Sequence, residues 1–91
     1  MNNQDIQMEN YCNYYQAYLN RPKIVEMIGI LKSFEHLCFD RTLDSATSLF
    51  EFFVPKDQEP LFLKVMDYFQ KQGTVTELKK LPNRLMTQDV L

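Results

Sequence analysis

Tryptophan is absent from this chain, and glycine occurs only at Gly29 and Gly73. Two isolated glycines cannot build a phosphate-cradling loop, which needs several neighbouring backbone positions free of a Cβ. A serine-centred nucleophile elbow and an HExxH pair are also missing, so the common hydrolase and metalloprotease signatures do not apply. Cysteine is limited to Cys12 and Cys38, without CxxC spacing, and both are expected as reduced thiols because no export signal accompanies them. Basic residues are not in excess. Ten Lys and Arg stand against twelve Asp and Glu, a net charge of −2, which argues against nucleic acid or an anionic membrane surface as partner. No run approaches the roughly 18 apolar residues a membrane helix needs. Met1–Asn10 is polar, with neither a cationic start nor an apolar core, and the expected location is the cytosol.

Aromatic residues are plentiful, with seven Phe and five Tyr. At 91 residues the chain supports one core only, since a domain this small buries about 60% of its unfolded surface, and large rings are an efficient way to fill it. The apolar fraction of 45% and charged fraction of 24% are those of a globular protein, neither a disordered chain nor a coiled coil.

Periodicity divides the chain into six elements. Tyr11–Leu19 alternates with rings on both sides, as a central strand would. Asn20 stands as an N-cap ahead of Pro22, and Ile24, Met27, Ile28, Leu31 and Phe34 share one arc of a helix over Pro22–Phe34. His36–Leu43 alternates again, Asp44–Thr47 supplies turn chemistry, and Ser48–Val54 is the strongest strand, closed by Pro55. A second helix begins at Asp57 or Glu59 and runs from Pro60 to Gln72. Gly73 stands where a left-handed C-cap residue belongs. Thr74–Leu81 is the last strand, and its imperfect alternation of Val75, Leu78 and Leu81 points to an edge position or a bulge. The order β-α-β-β-α-β predicts an α+β fold, a ferredoxin-like βαββαβ two-layer sandwich with a four-stranded antiparallel sheet. Its boundaries are a lead over 1–10, the domain over 11–82 and a tail over 83–91.

The stretch Asn20-Arg21-Pro22-Lys23-Ile24-Val25-Glu26-Met27-Ile28-Gly29-Ile30-Leu31, where the first strand turns into the first helix, resembles the signature of ACT domains. The strand ending at Val54, the helix after Asp57 and the closing Val75-Thr76-Glu77-Leu78 are similar to the second half of that family, so the resemblance spans about Tyr14 to Leu81. It implies a small, non-enzymatic regulatory module that acts as a homodimer and binds an amino acid or another small effector. The effector would sit in the loop Leu19, Asn20, Arg21, Pro22 and Lys23. The family has glycine after the proline, where effector and backbone approach closely. Here Lys23 stands in that place, and it reads most simply as a solvated lysine at the start of a helix.

Other residues invite chemical readings. His36, Cys38 and Asp40 alternate on one predicted strand, and with Cys12 they offer metal-ligand types, though without the paired cysteines of known zinc modules. A His36-activated thiol is conceivable, but no oxyanion loop accompanies it. No cofactor is expected. The strongest lead is the sheet face turned away from the helices. If Phe50, Phe52 and Val54 point inward, Leu49, Glu51 and Phe53 point outward beside Tyr14, Gln16 and Tyr18. Tyr14, Tyr18, Leu49 and Phe53 then form an association face for a second copy of the chain or another protein. A single-stranded RNA binder stacking bases on these rings is the alternative, opposed by Glu51 at the centre of the platform and by the shortage of cations.

Overall fold

The computed structural model describes residues 11–83. The lead over 1–10 lies outside the described residues, as does the tail beyond Asn83. Strands β1 (Asn13–Leu19), β2 (Phe39–Asp44), β3 (Leu49–Val54) and β4 (Val75–Leu81) alternate with helices α1 (Ile24–Ser33) and α2 (Glu59–Lys71) in the order β-α-β-β-α-β. The strands form one open sheet in the order β2-β3-β1-β4, with every neighbouring pair antiparallel. The fold is thus a small α+β domain with a four-stranded antiparallel sheet and two helices. Among the described residues no helix is long and apolar enough to cross a membrane.

Both helices pack on the same side of the sheet. Tyr15, Ala17 and Leu19 of β1 and Phe50, Phe52 and Val54 of β3 meet Met27 and Leu31 of α1 and Phe62, Met66 and Phe69 of α2 in one core. The alternation read from β1 and β3 is what directs these side chains, because successive Cβ atoms leave a strand on opposite faces. The pairing Tyr15↔Phe52 and Ala17↔Phe50 brings the two inward sets side by side. Phe62 is fully buried, its ring centroid 5.0 Å from that of Tyr15 and 5.8 Å from that of Phe52. Burial of a ring of this size contributes about 2–3 kcal/mol from apolar area alone.

The entry to α1 differs from the cap expected, whereas α2 begins at Glu59, one of its two expected starts. Arg21–Lys23 is a short 3-10 turn, closed by a hydrogen bond from the Lys23 N–H to the Asn20 carbonyl at 2.8 Å. The Asn20 side chain makes no cap hydrogen bond, because α1 proper begins only at Ile24, four residues further on. Lys56–Gln58 repeats the arrangement ahead of α2, with Gln58 N–H donating to Pro55 O at 2.8 Å. Gly73 does have the left-handed backbone expected of it, at φ +77°. Its N–H donates to Gln70 O at 3.1 Å and that of Thr74 to Phe69 O at 2.9 Å, the paired closure of a Schellman motif.

All four strands start later than their alternation implied, β1 at Asn13 and β4 at Val75, and in β2 and β3 the backbone gives the reason. His36 has φ +58° and Ser48 φ +59°, left-handed conformations that interrupt an extended run, so β2 begins at Phe39 and β3 at Leu49. In β4 both explanations for the imperfect alternation hold. The strand lies at an edge, and its register slips between Lys79, opposite Gln16, and Thr76, opposite Tyr18, with Glu77 at φ +52°. The extra residue lets Val75 and Leu78 both reach the helix-side core despite their odd spacing.

Candidate functional site

Where β1 runs into α1, the pairing Tyr18↔Leu49 places the loop against the β2–β3 turn. Leu19 is buried and its N–H donates to Ser48 O at 2.9 Å, while Asn20 N–H donates to Thr74 O at 2.8 Å. The loop is thereby pinned between the hairpin and the α2–β4 connection. Asn20, Arg21, Pro22 and Lys23 are all exposed, yet the side chains of two of them carry long-range bonds. Arg21 Nη2 donates to the carbonyls of Ser45 at 2.7 Å and Ala46 at 3.0 Å, and its Nε lies 3.4 Å from Ser48 Oγ. Lys23 Nζ donates to Gln72 O at 2.9 Å.

A groove of about 420 Å³ opens beside Arg21, with Ile24 and Phe50 as its apolar wall and Thr42, Ser45 and Ser48 supplying hydroxyl groups. The hairpin holds its shape through an Asp44 carboxylate that accepts from Ala46 N–H at 3.0 Å. Of the residues around the groove, Arg21 alone is one that the sequence marks as an effector contact. The hairpin residues carry no motif, and their signal lay in topology: a strand antiparallel to β1 on its core side must begin beside the end of β1.

The sheet face turned away from the helices holds Tyr14, Gln16, Glu51 and Phe53 together, as parity requires. Tyr14 donates its hydroxyl to Glu51 Oε1 at 2.6 Å and accepts from Gln16 Nε2 at 3.0 Å. The Tyr14 and Phe53 rings lie 5.1 Å apart, and the Arg41 guanidinium stands 5.3 Å from the Phe53 centroid. Of the four residues expected to form an association face, Tyr14 and Phe53 are buried at 2% and 0% exposure, Leu49 is half-buried, and Tyr18 is 37% exposed. Glu51 is 1% exposed at the centre of the face.

The His36, Cys38, Asp40 and Cys12 set does not converge. His36 is exposed in the α1–β2 connection and Asp40 lies within β2. Cys12 packs with Tyr14 and Phe53 on one face of the sheet, whereas Cys38 packs against the helix-side core. Among the described residues no group of three or more His, Cys, Asp and Glu side chains comes together. Burial, and secondly the charge of Asp40, push the Cys38 thiol up to about 12, which keeps it protonated and a poor nucleophile at neutral pH.

A separate polar cluster locks the start of α2 to the sheet. The Tyr15 hydroxyl donates to Glu59, and Lys80 Nζ pairs with the same carboxylate at 2.8 Å. The bond from Lys80 and then that from Tyr15 hold the Glu59 carboxyl below its usual range, while burial first and the Glu59 bond second raise the Tyr15 hydroxyl well above its own. Its three members come from β1, α2 and β4, which makes it a brace between elements. No family model, curated protein or solved structure matches the chain.

Proposed function

We propose that the chain is a ferredoxin-like, ACT-like module that binds a small effector without chemical turnover, works as a homodimer and resides in the cytosol. The strand order β2-β3-β1-β4, with both helices on one side, supports the ferredoxin-like reading. The observation that carries the functional reading is the groove at the end of β1, where Arg21 of the effector loop faces the hydroxyl-bearing hairpin. Arg21 offers charge and hydrogen bonds, and Ile24 and Phe50 offer apolar contact, the combination that small-molecule sites use for orientation and affinity.

Support for the homodimer comes from the helix layer. In α1, Ile24, Val25, Met27, Ile28, Ile30 and Leu31 are apolar, but only Met27 and Leu31 are buried. Val25 is 85% exposed, and Tyr68 of α2 is 57% exposed. Apolar side chains left exposed beside a helix's buried stripe mark a surface that a partner can cover. Light scattering at micromolar concentration reads the outcome directly, and a mass of one chain at all concentrations refutes the dimer.

The effector reading is tested by a thermal-shift screen of amino acids and other small polar metabolites, because a ligand selective for the folded chain raises the melting temperature by mass action. Hits are then followed by amide chemical-shift mapping. Saturable shifts at Arg21 and Ser45–Ser48 support the reading. The absence of any ligand whose shifts map to these residues removes it.

A further inference from the structure

We propose that the groove beside Arg21 selects a small monocarboxylate with an aliphatic tail and makes no use of an α-ammonium group. The inference deepens the effector reading and rests on it.

The guanidinium of Arg21 is held by neutral acceptors, two backbone carbonyls and a hydroxyl. No carboxylate pairs with it among the described residues, and its hydrogen bonds run through Nε and Nη2, leaving Nη1 to an incoming group. One uncompensated cation with free N–H donors matches one carboxylate, and such a charge-assisted bond is about twice as strong as a neutral one. Lys23, the other cation of the loop, turns away to Gln72 O, so a dianion would find only one positive charge. Ile24 is half-buried and Phe50 is 8% exposed, and between them they give the remainder of the ligand an apolar wall.

An ammonium group finds no comparable partner. The groove is lined by no acidic side chain. Asp44, in the hairpin, accepts from the Ala46 N–H through Oδ1 and is not among the residues that line the groove. The carbonyls of Ser45 and Ala46 already accept from Arg21. Hydroxyls of Thr42, Ser45 and Ser48 remain, and they serve a carboxylate as donors. A cation placed here would lose hydration without gaining a counter-charge, and would feel the like charge of Arg21.

The test compares four probes at one pH and ionic strength by calorimetry and amide shift mapping: 4-methylpentanoate, leucine, 4-methylpentan-1-ol and inorganic phosphate. The carboxylate is expected to bind at least tenfold more tightly than each of the others, with shifts at Arg21 and Ser45–Ser48, and Arg21→Met should weaken it at least tenfold. Leucine binding at the groove as well as or better than the carboxylate overturns the inference and leaves the effector reading intact. Equal binding of the alcohol, or tighter binding of phosphate, overturns it too. No groove shifts with any of the four probes overturn the inference, while the effector reading stands or falls with the metabolite screen. Should Arg21→Met fail to fold by circular dichroism, the acid-versus-alcohol comparison on the unsubstituted chain decides alone.

Discussion

Lys23 donates from its ammonium to the backbone carbonyl of Gln72 at 2.9 Å, joining positions 49 residues apart. Gln72 is the C-cap of α2, where carbonyls lack helical partners and the dipole favours a cation. A glycine at position 23 could make no such bond. With Arg21 tied to the hairpin and Lys23 tied to α2, the effector loop is braced from both sides. Lys23→Met is expected to lower stability by about 0.5–1 kcal/mol. For a domain of this size that is a melting temperature a few degrees lower, at about 4–8 °C per kcal/mol. Lys23→Arg should recover most of the loss. Thermal unfolding followed by circular dichroism checks both, and an unchanged melting temperature in Lys23→Met would show that the bond contributes nothing.

The two glycines should respond to alanine with opposite signs. Gly29 lies inside α1 with ordinary helical backbone and open space where a Cβ would go, so Gly29→Ala should stabilise by about 0.5–1 kcal/mol. Gly73 also has open space, but its φ of +77° penalises any L side chain, and Gly73→Ala should destabilise by about 1–2 kcal/mol. Urea unfolding midpoints of the pair give the two signs in one experiment. Two shifts in the same direction would contradict the backbone assignment at one of the sites.

Stability should fall at both ends of the pH scale, through the same brace. The Glu59 carboxyl titrates below its unfolded value, so its contribution is complete above about pH 4.5 and is lost as the pH drops through the folded value. The Tyr15 hydroxyl titrates above its unfolded value of about 10, so its contribution is complete below that pH and is lost as the pH rises past it. Glu59→Gln should flatten the acid limb and Tyr15→Phe the alkaline limb of the unfolding midpoint plotted against pH. Acid sensitivity in Glu59→Gln as steep as in the unsubstituted chain would place the responsible carboxylate elsewhere.

Much of the fold was legible because its signals are local. Alternation in Leu49–Val54 separated Phe50, Phe52 and Val54 from Leu49, Glu51 and Phe53, and the Tyr14–Glu51 hydrogen bond confirms which residues share a face. Gly73 could be placed from its position after the last periodic residue of α2. Exposure was not legible. Parity sets the side of the sheet that Phe53 and Tyr14 occupy, but says nothing of how far each is covered, and both are buried. Nor was the positive φ of His36 and Ser48 visible, since neither residue is a glycine and each opens a run patterned as a strand. At the groove, Arg21 stood in a recognisable stretch, whereas Thr42, Ser45 and Ser48 reach it only through sheet register.

Cys38 provides a chemical test of the helix-side packing. Its thiol, pushed up to about 12 by burial and then by Asp40, is ionised in only about one molecule in ten thousand at pH 8. Cys12 is shielded by position, at 6% exposure against Tyr14 and Phe53. Alkylation of the native chain at pH 8 should therefore be slower than that of the urea-unfolded chain by about two orders of magnitude or more at both thiols. A Cys12→Ser variant isolates Cys38, and mass spectrometry follows its modification. The same shift works on stability with a definite sign: above the unfolded thiol pKa of about 8.5 the unfolded chain releases a proton that the folded chain keeps, so stability declines from there upward. Cys38→Ala should remove that early part of the alkaline decline, leaving the part above pH 10 to Tyr15. Native-state alkylation of Cys38 at the rate of a free thiol would mean that the side chain does not lie against the core formed by the helices and the sheet.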